Sequence, residues 1–226
     1  WSRGLGDVYK RQTEGVHIHI IDAELMGKGE KEKKDLYIEG VQNNGIINHY
    51  EYIINSEGTI EIRHVLKPEG KMPLWFPRIG LTLTVSDALD QVKWYGRGPQ
   101  ENYPDRKTGY PMGIYASTVQ AMYEPYLMPQ DYGLRTDVRW LQLTTDKGIG
   151  LQFKMNEWFN FNIYPYSTDN LTKAMYTYQL QKQKGMTLNL DYATTGVGCT
   201  ARGVFGAYKA MPQEYRRTIS IRPMMK

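Results

Sequence analysis

Asp137–Lys154, DVRWLQLTTDKGIGLQFK, carries two alternating runs on either side of Asp146-Lys147-Gly148. Leu141 and Leu143 alternate with polar neighbours before the turn; Ile149, Leu151 and Phe153 alternate with glycine and glutamine after it. A period of two puts one set of side chains on one sheet face, which is the signature of a half-buried strand. The Asp-Lys-Gly triplet supplies a residue that tolerates a positive φ, as a tight hairpin requires. The stretch therefore predicts two antiparallel strands, Asp137–Thr144 and Gly150–Lys154, joined by a hairpin.

The same pattern recurs outward in both directions. Val16–Ile21, Ile46–Asn55, Thr59–Leu66, Ile79–Val85 and Gln91–Tyr95 precede it; Phe159–Tyr164, Met175–Gln181, Met186–Tyr192 and Arg216–Ile221 follow. Asn43-Asn44-Gly45, Ser56-Glu57-Gly58 and Lys184-Gly185 are turn chemistry between them. Only Thr168–Lys173, with Thr168 as cap, suggests a turn or two of helix. Many short strands with no helices between them predict an all-β fold, a large antiparallel sandwich in one domain.

The 226 residues include 41% hydrophobic residues, enough to bury a core. Eighteen tyrosines and five tryptophans favour strands, and a net charge of +4 is too mild to mark a nucleic-acid partner. The charge run Lys28–Lys34, KGEKEKK, mixes signs and reads as a solvated loop. No apolar stretch reaches the ~20 residues of a membrane helix. One cysteine, Cys199, excludes an internal disulfide framework. Trp1–Gln12, WSRGLGDVYKRQ, has no period and resembles adaptor-derived translation, so it is expected to be non-native and the chain a fragment.

The chemical candidates are few. His17 and His19 fall on one face of a strand, but nothing beside them completes a ligand set, and His49 and His64 are isolated; all read as polar strand residues facing solvent. Cys199, with Arg202 nearby to lower a thiol pKa, follows a Gly-Val-Gly turn, but no histidine occurs after His64 to serve as base. Gly96-Arg97-Gly98 lacks the third glycine of a dinucleotide fingerprint.

Trp94–Arg106, WYGRGPQENYPDR, concentrates more chemistry than a turn usually holds. Glu101 and Asp105 suggest acid–base work on a sugar, but Arg97 and Arg106 are expected to pair with them and keep them ionised, the opposite of a glycosidase acid. Aromatic residues are in surplus, Trp75, Trp94, Trp140 and Trp158 among them, and pyranose C–H faces stack on such rings. In Asn156-Glu157-Trp158-Phe159-Asn160-Phe161-Asn162, polar and aromatic residues alternate at a strand start.

Taken together these segments resemble the C-terminal, small-chain domain of bacterial β-galactosidases of glycoside hydrolase family 2. The pattern W-x-G-x-GPxExYxDR matches through Trp94, Gly96, Gly98, Pro99, Glu101, Asp105 and Arg106. Arg78–Leu81, Tyr123–Tyr126, Pro129–Arg135, Asp137–Trp140, Phe159–Ser167 and Gly196–Gly198 follow the family order, so the blocks run from about Met72 to Pro223 and the domain covers 13–226. The chain departs from the pattern twice. Ala174–Leu180, AMYTYQL, stands where a histidine pair is usual, and Cys199–Phe205, CTARGVF, replaces Asp/Asn-Ser-Trp.

The resemblance implies a wide, galactose-mutarotase-like supersandwich. It also implies hydrolysis of terminal β-D-galactosides such as lactose by two glutamates on an earlier TIM-barrel domain, present in cis or as a second subunit. No catalytic residue falls in this chain, which alone is expected to be inactive. No metal site or cofactor is expected here, Mg or Na belonging to the whole enzyme. The expected partners are a β-galactoside or other carbohydrate and the barrel, not nucleic acid or membrane. The bacterial compartment, cytoplasm or periplasm, is left open. The small-chain domain lends such an active site one tryptophan as a sugar platform, here Trp158 by position, flanked by Asn156 and Glu157. A stand-alone carbohydrate-binding module and an aldose epimerase-like protein remain the alternatives.

Overall fold

The computed structural model describes residues 45–198 and 203–225. Trp1–Gln12, the Val16–Ile21 strand with His17 and His19, the Lys28–Lys34 loop, Asn43-Asn44, Cys199 and Arg202 lie outside the described residues.

The strands are β1 (Gly45–Ile54), β2 (Ile60–Glu69), β3 (Arg78–Val85), β4 (Gln91–Arg97), β5 (Met112–Thr118), β6 (Arg135–Thr144), β7 (Gly150–Tyr164), β8 (Met186–Thr194) and β9 (Tyr215–Met224). One short helix, α1 (Thr168–Lys173), and two 3-10 turns, Thr177–Gln179 and Gly206–Tyr208, are the only helical pieces among the described residues. All strand pairings are antiparallel, and the fold is all-β as expected.

The hairpin that opened the sequence reading is β6–β7. Thr144 pairs with Gly150, Gly148 takes a φ of 78°, and Thr145 N donates to Ile149 O at 2.8 Å. The strand order runs β1-β2-β9-β7-β6-β4-β5, with β8 also on β7 and β3 on β8. The sheet therefore forks along β7. Its first half, Gly150–Met155, pairs with β9; its second half, Asn160–Tyr164, pairs with β8.

Both branches feed one core. Ile62 and Leu66 of β2, Leu81 of β3, Trp94 of β4, Phe161 of β7, Leu188 and Leu190 of β8 and Ile219 of β9 belong to a single buried cluster. Closing both arms over shared apolar side chains is what makes a branched sheet a sandwich. The opposite face of β8 is also buried but polar: Asn189 and Asp191 meet Asn162, Arg78 and Asp131 in a hydrogen-bonded set. Buried polar atoms require such partners.

Several expectations need correction. Gly150–Lys154 and Phe159–Tyr164 are one strand, because the polar stretch between them bulges without ending it. Met175–Gln181 is not a strand: the Gln179 side-chain oxygen accepts from Met175 N and Tyr176 N, closing a 3-10 turn instead. The cap of α1 is Ser167 rather than Thr168, its hydroxyl accepting from Asn170 N at 3.0 Å. Strand β5 escaped the sequence reading because small Gly113, Ala116 and Ser117 blur its alternation. His64 does not face solvent. It shares the inward face of β2 with Ile62 and Leu66, is 1% exposed, and lies between Tyr192 Oη (2.7 Å) and Asn48 Oδ1 (2.9 Å).

Candidate functional site

The place where β7 changes partner is also where Trp158 reaches the surface. Met155 is the last residue of β7 paired to β9, and Asn160 the first paired to β8. On the other side, the register with β6 jumps from Val138↔Phe159 to Trp140↔Lys154, leaving Met155–Trp158 as a wide bulge opposite Arg139. Asn156 and Glu157 lock that bulge to β9. Asn156 Oδ1 accepts from Thr218 N at 3.0 Å, replacing a ladder bond, and Glu157 pairs with Arg217 at 3.0 Å. Neither lines the neighbouring cleft. Trp158 does line it, and is 56% exposed.

The other described tryptophans differ. Trp94 is fully buried, its indole N–H donating to Arg97 O at 3.0 Å, and Trp75 and Trp140 are half-buried. An indole this exposed contributes little to the core. The Arg139 guanidinium lies 3.6 Å from the Trp158 ring centroid, which covers one face of the indole by a cation–π contact and fixes its orientation.

The cleft beside it measures about 210 Å³ and is bordered by Pro104, Lys107, Asp137, Asn160, Thr194 and Tyr208, among others. Asp137 has φ 55°, a left-handed conformation that aspartate tolerates better than most residues, in a second bulge between Arg135 and Val138. Burial alone would raise its carboxyl pKa, but hydrogen bonds from Arg97 (2.6 Å) and Lys107 (2.9 Å) hold it below the usual carboxylate value. Asn160 Oδ1 accepts from Asp137 N at 3.3 Å while its amide donates to Thr194 at 3.2 Å.

The Trp94–Arg106 loop braces the walls of this cleft. Arg97 anchors Asp137; Asn102 Oδ1 accepts from Thr136 N and its hydroxyl, holding the β6 bulge. Glu101 is 6% exposed and pairs with Arg106 at 2.7 Å, as expected, while also accepting from Gly133 N and the Tyr126 hydroxyl. Asp105 pairs with no arginine among the described residues. Its two oxygens accept from Val197 N (3.0 Å) and Gly198 N (2.7 Å), because the Gly196–Gly198 turn aims two backbone N–H groups at one point. Gly98 is required by crowding: a Cβ there would meet Tyr115 at 2.8 Å and Trp94 at 3.0 Å.

Sequence reasoning thus placed Trp158 on the cleft and missed Asp137, Lys107, Asn160, Thr194 and Tyr208. Asp137 and Asn160 stood inside quoted motifs, but only the paired bulges bring them together. Among the described residues no three His, Cys, Asp or Glu side chains are placed to hold a metal ion, and no helix is long and apolar enough to cross a membrane.

The family described as "Beta galactosidase small chain" matches residues 7–221. The chain belongs to this β-galactosidase small-chain family. A β-galactosidase of Priestia megaterium is 38% identical over 147 residues, covering 65% of this chain and 14% of that protein. One from Vibrio cholerae is 39% identical over 122 residues, 54% of this chain and 11% of that protein. β-Galactosidase BgaC of Bifidobacterium adolescentis is 27% identical over 208 residues, 87% of this chain and 19% of that protein. The chain thus matches less than a fifth of each of these relatives. A solved putative aldose 1-epimerase from Escherichia coli K12 aligns over 87% of this chain and 69% of its own at 6% identity, with a TM-score of 0.36, too slight a likeness to argue from.

Proposed function

We propose that this small-chain domain completes the active site of a retaining β-galactosidase acting on terminal β-galactosides such as lactose. In this reading Trp158 is the surface on which the sugar stacks. The observation that carries it is the exposed Trp158 indole, braced by Arg139, at the rim of a polar-lined cleft. At about 210 Å³ the cleft is smaller than the ~300–1,000 Å³ of a self-sufficient ligand pocket, which suits one wall of a shared site.

The chemistry of retaining hydrolysis supports a second domain. It needs two carboxyls roughly 5–5.5 Å apart, one kept protonated by its surroundings. The carboxylate bordering this cleft, Asp137, is held ionised by two cations, and Glu101 and Asp105 are saturated with donors. In this reading, as the family resemblance implies, the catalytic pair is supplied by a TIM barrel outside this chain, and this chain alone is inactive.

Co-expression with the barrel-bearing part of the enzyme tests this. Lactose hydrolysis is expected only when both are present, with the Trp158 fluorescence shifting to the blue on assembly as its rim becomes desolvated. Hydrolysis by this chain alone, or an unchanged Trp158 signal in an active assembly, overturns it.

A further inference from the structure

We propose that Tyr176 and Tyr178 form a second saccharide-binding surface, independent of the Trp158 cleft. Neither residue lines that cleft. The two rings are parallel, 7° apart in plane with centroids 5.5 Å apart, and are 57% and 79% exposed. Tyr176 backs Tyr178, so an exposed ring that would otherwise sample several rotamers is held in one orientation.

The backbone beneath is fixed as well. Gln179 Oε1 accepts from Met175 N at 2.7 Å and Tyr176 N at 3.2 Å, and Asn170 reaches across from α1 to Gln179 O (3.3 Å) and Gln181 N (2.8 Å). Leu180 packs into the Tyr132–Tyr164–Leu171 cluster and ties the turn to the body of the domain. A turn that is held this firmly, yet aims two aromatic rings outward, has its ligand geometry set before binding, which lowers the entropic cost of association.

The surroundings choose the ligand class. Thr177, Gln179, Gln181 and Lys182 are exposed around the pair. A protein-binding patch buries a broad apolar centre, whereas two rings within a rim of amides, a hydroxyl and an ammonium match the C–H face and hydroxyl edge of a pyranose.

Isothermal titration of the full chain with a β-1,4-linked galactotetraose tests the proposal. In the Trp158→Ala background, binding with a Kd in the millimolar range is expected. Adding Tyr178→Ala weakens it at least about 5-fold, and Tyr178→Phe, which keeps the ring, restores it. Circular dichroism melts report whether each variant is folded, which is expected because Tyr178 is mostly exposed. Equal affinity with and without Tyr178, or no heat up to 10 mM sugar (~10 times a 1 mM Kd), overturns the site. Loss of self-association in sedimentation, rather than of sugar binding, on Tyr178→Ala makes the pair a protein contact and also overturns it. If the Trp158 reading alone fails, Trp158→Ala titrates like the wild type while Tyr178→Ala still removes binding.

Discussion

The Asp105 carboxyl carbon lies where a side chain on Gly196 would begin: a Cβ built on Gly196 would stand 2.3 Å from it and 2.5 Å from each carboxylate oxygen. The signature loop and the glycine turn, 91 positions apart, are thus one packed unit, and residue 196 is glycine for want of space. Gly196→Ala should destabilise the domain by about 1–3 kcal/mol, the usual range for forcing atoms into a filled site. Denaturant unfolding measures it. In an Asp105→Ala background the cost should shrink, because the obstructing carboxylate is gone and the two changes share one contact.

Arg106 is half-exposed, but its partner Glu101 is buried. Removing one member of such a pair leaves the other charged and poorly solvated. Gly133 N and Tyr126 still serve Glu101 and Arg106 itself is half-exposed, so Arg106→Ala should cost about 2 kcal/mol of stability, below the roughly 3–5 kcal/mol of a fully buried broken pair. Turnover of the assembled enzyme well below its melting temperature should stay near wild type. Normal melting with lost turnover would give the loop a catalytic part that its geometry denies.

Burial pushes the His64 pKa down to about 4, between Tyr192 and Asn48. The unfolded chain binds a proton here near the ordinary value of about 6.5, and the folded chain does not. Stability is therefore full above that value and falls as pH drops toward 4, by up to about 3 kcal/mol. Burial acts in the opposite sense on Asp191, raising its pKa to about 6 despite Arg78, so its contribution is present at low pH and lost as pH rises through 6. Comparing wild type with His64→Gln isolates the histidine, since Asp191 is common to both. The variant should be less stable at pH 7.5 and show a flatter loss of stability between pH 6.5 and 4.5 in urea melts.

Strands with clean alternation and glycine turns, such as the β6–β7 hairpin, were legible because local chemistry alone sets them. The candidate site was legible in part. Trp158 announced itself as a tryptophan among polar residues, but Asp137 and Asn160 looked like ordinary strand positions. Their role depends on two adjacent bulges and a change of partner along β7, which are register events with no local sequence mark. His64 and Asp105 were misread for a related reason: each is satisfied by a group far along the chain, Tyr192 for His64 and the Gly196–Gly198 turn for Asp105.

Trp158 offers the sharpest functional test. Arg139 occupies one face of its indole at 3.6 Å, so under the proposed function a sugar would stack on the other, where contact is worth roughly 1–3 kcal/mol. Trp158→Ala in the assembled enzyme should raise KM for lactose about 5–150-fold on that scale, with kcat less affected because the stack binds the sugar rather than the reacting atoms. Trp158→Phe keeps a ring face and should recover part of the affinity. Stability should change little, since the indole is 56% exposed and contributes a small part of the core. Arg139→Gln provides a graded check: without the guanidinium the indole gains rotamer freedom, so KM should rise by less than in the alanine variant while the fold persists. A KM for Trp158→Ala within twofold of wild type, or a variant that is unfolded at assay temperature, would remove Trp158 from the site and leave its exposure without a functional explanation.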